Sequence, residues 1–145
     1  MLTKKTKYGL KAMFFLSRHY SEGLVLISDI SREEHIPRKF LELILLDLKK
    51  QGLVKSKMGK GGGYSLARDP EDIYIGQIVR ILEGPLAPIP CVSKTAYAEC
   101  DECINEKTCE IRKMMMQVRD ATAAILDQTS LLTAQTASYR LEKIM

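Results

Sequence analysis

The chain has 145 residues, 46% of them hydrophobic and 28% charged, with a net charge of +4. That length fits one compact domain, or a small domain with an appendage, and excludes a large multidomain enzyme. No uncharged apolar run approaches the roughly 18 residues needed to cross a bilayer. Lys4, Lys5 and Lys7 are not followed by the apolar stretch of a secretion signal, so the expected location is the cytoplasm. Three Phe, six Tyr and no Trp point to an aliphatic core without a large aromatic ligand pocket.

The charge is unevenly spread. Residues 1–68 hold 14 Lys/Arg against 6 Asp/Glu, and residues 69–145 hold 8 against 12. A basic first half suggests a polyanion partner, with nucleic acid the first candidate. The weaker alternative is that surface lysines only keep the protein soluble.

From Thr6 to Tyr20, apolar residues at Tyr8, Ala12, Phe15 and Leu16 give the spacing of a helix that buries one stripe. Glu22 and Gly23 interrupt it, Leu24 to Ile27 form a short apolar run, and Ser28 suits the N-cap of a brief helix through Glu34. Pro37 suits the first turn of a third helix, in which Leu41, Ile44, Leu45 and Leu48 mark the buried stripe and Gly52 the stop. The period then changes. Leu53 to Lys57 and Tyr64 to Ala67 read as two strands around a glycine-rich tip, Met58 to Gly63.

Three helices with a short second one, followed by a hairpin, is the order of a winged helix-turn-helix module, whose chemistry is recognition of duplex DNA. The third helix would present Arg38, Lys39 and Glu42 to base edges or phosphates, while Lys49, Lys50, Lys55, Lys57 and Lys60 hold the backbone. Two competing readings exist. Gly61-Gly62-Gly63 can instead cradle the phosphate of a nucleotide, but it lacks the Lys-Ser/Thr of a P-loop and nothing nearby reads as the helix such a loop should open. Glu42 can instead serve as an i, i+4 partner for nearby positive residues.

All four cysteines, Cys91, Cys100, Cys103 and Cys109, lie in a polar stretch behind Pro85, Pro88 and Pro90. Without a disulfide-forming compartment, the choices are a metal site, an iron-sulfur cluster, a redox switch or inert buried thiols. Core thiols would be scattered along periodic elements. Structural zinc favours two short-spaced ligand pairs, and only Cys100 and Cys103 form one. Iron-sulfur clusters tolerate more irregular spacing, and a thioredoxin-like role lacks its βαβ context. Next, Ile111, Met115, Val118, Thr122 and Ile125 follow a heptad-like spacing, most simply a dimerisation helix. Leu131 to Met145 reads as another short helix. Only His19 and His35 exist as histidine bases and no nucleophile elbow is present, so the chain is not expected to be an enzyme.

Leu2-Thr3 through Lys7-Tyr8-Gly9-Leu10-Lys11-Ala12-Met13, Ile27-Ser28-Asp29-Ile30-Ser31 to Leu41-Glu42, and above all Gly52-Leu53-Val54 with Gly61-Gly62-Gly63-Tyr64-Ser65-Leu66, closely resemble the IscR, NsrR, RirA and CymR family of bacterial regulators. The resemblance covers almost the whole chain. It implies a mainly α fold with a small β-hairpin: a winged helix-turn-helix domain over 1–68, a linker helix (Ile75 to Leu82) and proline-rich loop over 69–90, a cluster-binding cysteine loop over 91–110, and a dimerisation helix with a C-terminal helix over 111–145. The implied function is a homodimeric transcription factor, often a repressor, that binds a palindromic operator and whose iron-sulfur cluster reports iron, nitric oxide or redox state. The candidate DNA-contacting set is Ser28, Arg38, Lys39, Glu42, Leu43, Lys49, Lys57, Met58, Lys60, Gly61 and Tyr64.

In cluster-binding members three loop cysteines are ligands, and Cys91, Cys103 or Cys100, and Cys109 match them in order. Here no His follows Cys109, and Lys7 stands at the acidic position of helix one. The extra cysteine is then a candidate fourth ligand, so that Cys91, Cys100, Cys103 and Cys109 together suit a two-iron or a four-iron cluster. Zinc, a thiol switch or a protein-interaction surface is the alternative, which the resemblance to CymR allows. Leu43 stands where some members carry a base-contacting glutamine, and Met58 replaces a wing arginine, so the resemblance implies a different operator from that of the best-known members. Leu43 suits a thymine methyl.

Overall fold

The computed structural model describes residues 2–136. The Thr3 hydroxyl accepts the Thr6 amide at 3.3 Å, and α1 runs over Lys4–Arg18. It lies two residues ahead of the predicted span because this cap fixes the first turn. Tyr20–Glu22 forms a separate 3-10 turn.

Helices α2 (Ile27–Glu34) and α3 (Arg38–Lys50) follow. Ser28 is not the N-cap of α2: Leu26 holds that position without a side-chain cap, and Ser28 lies exposed in the first turn. The reason lies one residue upstream. Val25 pairs antiparallel with Tyr64, each amide donating to the other's carbonyl at 2.8 Å, so the chain enters α2 from an extended segment. The Leu26 carbonyl then accepts the amides of Asp29 and Ile30. Pro37 precedes α3 as its N-cap residue, at ψ 128°, instead of lying within the first turn. His35 closes α2 in the left-handed region at φ 54° and turns the chain toward α3.

Strands β1 (Val54–Lys57) and β2 (Gly63–Leu66) pair antiparallel, from Val54 opposite Leu66 to Lys57 opposite Gly63. The Val25 bridge adds a single paired residue to the edge of this two-stranded sheet, within what the sequence reads as a short apolar run. Close packing explains the glycines between them. A Cβ on Gly62 would lie 2.2 Å from the Lys57 carbonyl oxygen, and one on Gly63 would lie 2.5 Å from that of Val25.

Helix α4 (Ile75–Leu82) has the implied span. It joins the core of the N-terminal half: Ile73 and Ile78 are fully buried in one cluster with Ile30, Leu41, Leu45 and Leu48. Each such side chain contributes about 1.5–3 kcal/mol of burial free energy, which conformational entropy largely offsets. Glu83, just after α4, accepts from the Thr6 hydroxyl, the Thr3 amide (3.0 Å) and the Thr3 hydroxyl (2.9 Å). The Thr6 hydrogen bond above all, then the Thr3 amide, holds its carboxyl below the usual range.

Helix α5 (Glu110–Gln128) has 19 residues and buries none of them. Met115 and Thr122, predicted for the dimer seam, are half-buried, whereas Ile111, Met114, Val118, Ala121 and Ile125 are exposed. The free stripe is therefore rotated from the predicted one and keeps its 3, 4, 3, 4 spacing. Near its end, the Arg80 guanidinium of α4 forks onto Asp127 at 2.5 and 2.9 Å. Gly76 makes room, since a Cβ there would lie 2.0 Å from Asp127 Oδ1. The chain then pairs Ser130 with Tyr74 and buries Leu131 in the core. Residues 131–136 are helical, as predicted for the closing segment, and 137–145 lie outside the described residues.

The Arg80 hydrogen bond holds Asp127 below the ordinary carboxylate range. The unfolded chain therefore takes up this proton at higher pH than the folded one. The clasp stabilises above the usual carboxylate pKa of about 3.9 and is lost as pH falls through the lower folded value. Asp127→Asn is expected to cost about 0.5–1 kcal/mol at neutral pH, within the range of exposed pairs. In urea unfolding the deficit should shrink steadily as pH is lowered below the usual carboxylate pKa of about 3.9; a deficit independent of pH would contradict the clasp.

Candidate nucleic-acid interface and cysteine cavity

Helix α3 buries Leu41, Ile44, Leu45 and Leu48 and turns its other face to solvent. On that face Lys39 is exposed, and Arg38 Nε lies 3.4 Å from Glu42, also exposed. Glu42 thus has the i, i+4 partner that the weaker sequence reading allowed, and the pair remains at the surface. Between them and the helix end runs an apolar strip that sequence reading recognised only at Leu43. Phe40, Leu43 and Leu46 are 55%, 62% and 44% exposed. The spacing i, i+3, i+6 was the available signal. The Phe40 ring meets Tyr8 of α1 edge-on, with centroids 6.3 Å apart.

Lys49 donates to the Ser56 hydroxyl at 2.7 Å, which fastens β1 to α3. The tip of the hairpin carries exposed Lys57, Met58, Lys60 and Gly61, with Met58 89% exposed. Tyr64 is half-buried, packs against the core and bridges to Val25. The structure thus gathers Arg38, Lys39, Glu42 and Leu43 on the outer face of α3 and Lys57, Met58, Lys60 and Gly61 at the hairpin tip. Lys49 and Tyr64 tie these parts to the body, and Ser28 stands in the first turn of α2.

The cysteine segment begins with a 3-10 turn over Pro90–Val92 that buries Cys91. This thiol sits in a more enclosed place than the polar sequence around the other three suggests. Cys100 is exposed, Cys103 and Cys109 are partly covered, and all four are free thiols. The Cys103 amide donates to the Cys100 carbonyl at 3.1 Å, closing a turn around that pair. Cys109 is the N-cap of α5, and its sulfur accepts the Arg112 amide at 3.4 Å.

All four thiols border one cavity of about 470 Å³ that Ile89, Glu106, Ile111 and Arg112 also line. Among the described residues, no three His, Cys, Asp or Glu side chains close to metal-binding distance in this conformation. The two observations agree, since bordering a cavity of this size is looser than coordination. Desolvation first, then Glu106, the neighbouring thiols and Glu99, push the Cys103 thiol up. A free thiolate is therefore disfavoured here, and a bound cation would relieve the excess negative charge. Across the rim, the Tyr97 hydroxyl donates to Glu106, which pushes that phenol up to about 12.

Two arginines were missed in the sequence. Arg112 lines the cavity, and Arg119, only 14% exposed, donates to the Val92 carbonyl at 2.8 Å. Arg119 thereby ties the turn that carries Cys91 to α5. No periodic pattern marked either residue, because each acts across the chain.

The fold and this exposed basic face define a winged-helix regulator of transcription. Residues 2–135 match the family Rrf2, iron-dependent transcriptional regulator. The chain belongs to the Rrf2 family. It is 42% identical over 134 residues to an rrf2-like HTH-type transcriptional regulator of Rhodobacter capsulatus, covering 90% of this chain and 89% of the relative. It is similar to the solved structure of CymR, the global cysteine regulator of B. subtilis, with a TM-score of 0.76 and 32% identity over 96% of this chain and 97% of that one. For T. potens IscR the TM-score is 0.73 and the identity 30%, over 95% of this chain and 88% of that one. The relatives are transcriptional regulators, and this chain is one rather than an enzyme. No helix among the described residues is long and apolar enough to cross a membrane.

Proposed function

We propose that the protein acts as a homodimer on a palindromic duplex operator, most simply as a repressor, and that Cys91, Cys100, Cys103 and Cys109 hold an iron-sulfur cluster of two-iron or four-iron type. The observation that carries the cluster reading is the opening of all four thiols onto one cavity. A single zinc ion bound at ~2.3 Å would draw four sulfurs to within about 4 Å of one another. A many-atom group better matches a space of about 470 Å³. When bound, such a cluster links the thiolates through iron-sulfur bonds whose survival depends on iron supply and oxidation.

The chain's own residues then convert loop placement into DNA binding. Cys109 starts α5, and Arg119 holds the Cys91 turn against it. Arg80 and Asp127 join α5 to α4 and so to the core behind α3. The stripe of Ile111, Met114, Val118 and Ile125 suits the same helix of a second copy. Two recognition helices reach successive major grooves when about 34 Å apart. A shift of α5 alters that separation, and a ligand moves the balance only by its differential affinity for the two arrangements.

In this reading Lys39, Lys57 and Lys60 meet phosphates, Leu43 a thymine methyl, and Met58 enters the minor groove as an apolar wedge, roles that their exposure supports. A second reading keeps the winged helix and assigns the loop to zinc or a thiol switch. The absence of three convergent donors among the described residues supports the thiol switch within this reading, and the likeness to CymR supports the reading as a whole.

Protein purified without oxygen separates the two. The cluster reading predicts a brown protein with a broad band near ~400 nm, with iron and sulfide, lost in Cys91→Ala; a colourless protein that reconstitutes nothing would move the sensing role to zinc or thiols. For the DNA face, Lys39→Ala or Lys60→Ala should weaken operator binding and lower its salt slope by about one unit per lost phosphate contact. An unchanged slope would remove that residue from the interface.

A further inference from the structure

Arg112 occupies an unusual place in the cysteine cavity. Its backbone amide meets the Cys109 sulfur, and its side chain lines the same space as the four thiols. The Nε atom of its guanidinium is buried and has no acceptor among the described residues. A buried N–H left without an acceptor carries an uncompensated desolvation cost. Glu106, a carboxylate on the same wall, is engaged by the Tyr97 hydroxyl.

The charge around the thiols explains what such a donor is for. Glu99, Asp101, Glu102 and Glu106 lie in the loop, and Arg112 is the cationic side chain among the described residues that line the cavity. Thiolates bound to a metal keep a net negative charge that needs a donor and a counter-charge in so acidic a setting. An arginine, always charged and with its N–H groups in a fixed fork, provides both.

We propose that Arg112 is a positioning residue for metal-bound thiolates in this cavity, with its guanidinium supplying the counter-charge and the hydrogen bond to ligating sulfur. The proposal rests on thiolate ligation as proposed above but does not require that the ligated metal be an iron-sulfur cluster. Hydrogen bonds to cluster sulfurs raise reduction potentials. Loss of this donor therefore lowers the potential and weakens metal binding without removing a ligand.

The test uses the full chain, kept anaerobic, as wild type, Arg112→Gln and Arg112→Lys. Each is titrated with cobalt(II), whose thiolate absorption reports ligation, and separately loaded with iron and sulfide for measurement of the reduction potential. The expected result is cobalt binding about tenfold weaker in Arg112→Gln and largely restored in Arg112→Lys, because the charge returns. Iron-sulfur loading should persist in both variants, with a lower potential in Arg112→Gln. Equal cobalt affinity and equal potential in Arg112→Gln and wild type would overturn the proposal.

If wild type binds cobalt but assembles no cluster, the cluster reading fails and the cobalt affinities alone decide the role of Arg112. If wild type binds neither, thiolate ligation is absent and both readings fall. Far-UV circular dichroism with thermal melting monitors folding. Should Arg112→Gln melt far below wild type, Arg112→Met, which keeps the aliphatic stem without charge or donor, takes its place: a potential equal to wild type, or equal cobalt affinity where no cluster forms, would overturn the proposal.

Discussion

Helix α5 is a long helix with no fully buried residue, and among its apolar side chains Leu126 packs against the core. A small number of polar ties add to this partial burial. Arg80 and Asp127 join α5 to α4, Arg119 joins it to the turn bearing Cys91, and the Cys109 N-cap starts it at the edge of the thiol cavity. The exposed Arg80–Asp127 pair contributes little, the Arg119 hydrogen bond is sheltered, and α5 has less apolar burial to hold it than the helices of the aliphatic core. A regulator needs a weakly held element between a well-packed reader and a chemically responsive loop. In the proposed function, the packed core of α1 to α4 holds the reader together and α5 is the element that responds.

The reader itself combines charge with apolar surface. In the proposed function, lysines on α3 and the hairpin supply sequence-independent attraction to phosphate. Phe40, Leu43 and Leu46 lie between them, and Met58 stands far out at the tip. Apolar side chains read thymine methyls and open base steps, whereas they cannot make the bidentate contacts by which Arg, Asn or Gln select guanine or adenine. With Arg38 and Glu42 paired to each other, the proposed readout rests on methyl contacts and groove shape. Lys49, which joins the hairpin to α3, keeps the two parts of this surface in register.

Most of this fold was legible in the sequence because helices and hairpin carry strong periodic signals. The stripe of Leu41, Ile44, Leu45 and Leu48 marked α3, and the glycine run marked the hairpin tip. The differences arose where a partner distant in sequence decides the outcome. Val25 sets the start of α2 by pairing with Tyr64, which overrides the local capping preference of Ser28. In α5 the heptad pattern gave the period, but the neighbouring turn and α4 fixed its phase, so Met114 faces solvent where Met115 was expected. The cysteines were visible as a cluster, whereas Arg112 and Arg119 were not, since a single arginine on an amphipathic helix has no distinguishing spacing.

The central claim is that the state of the cysteine loop reaches the DNA-binding surface through α5. It is tested most directly by the operator affinity of one preparation before and after its metal is stripped, using duplexes selected from a random pool by each form, for wild type and Arg119→Gln. The account predicts at least a tenfold change in affinity on stripping wild type, about 1.4 kcal/mol, and a smaller change in Arg119→Gln, where the Cys91 turn is no longer tied to α5. Equal affinity of the loaded and stripped wild-type forms would contradict it.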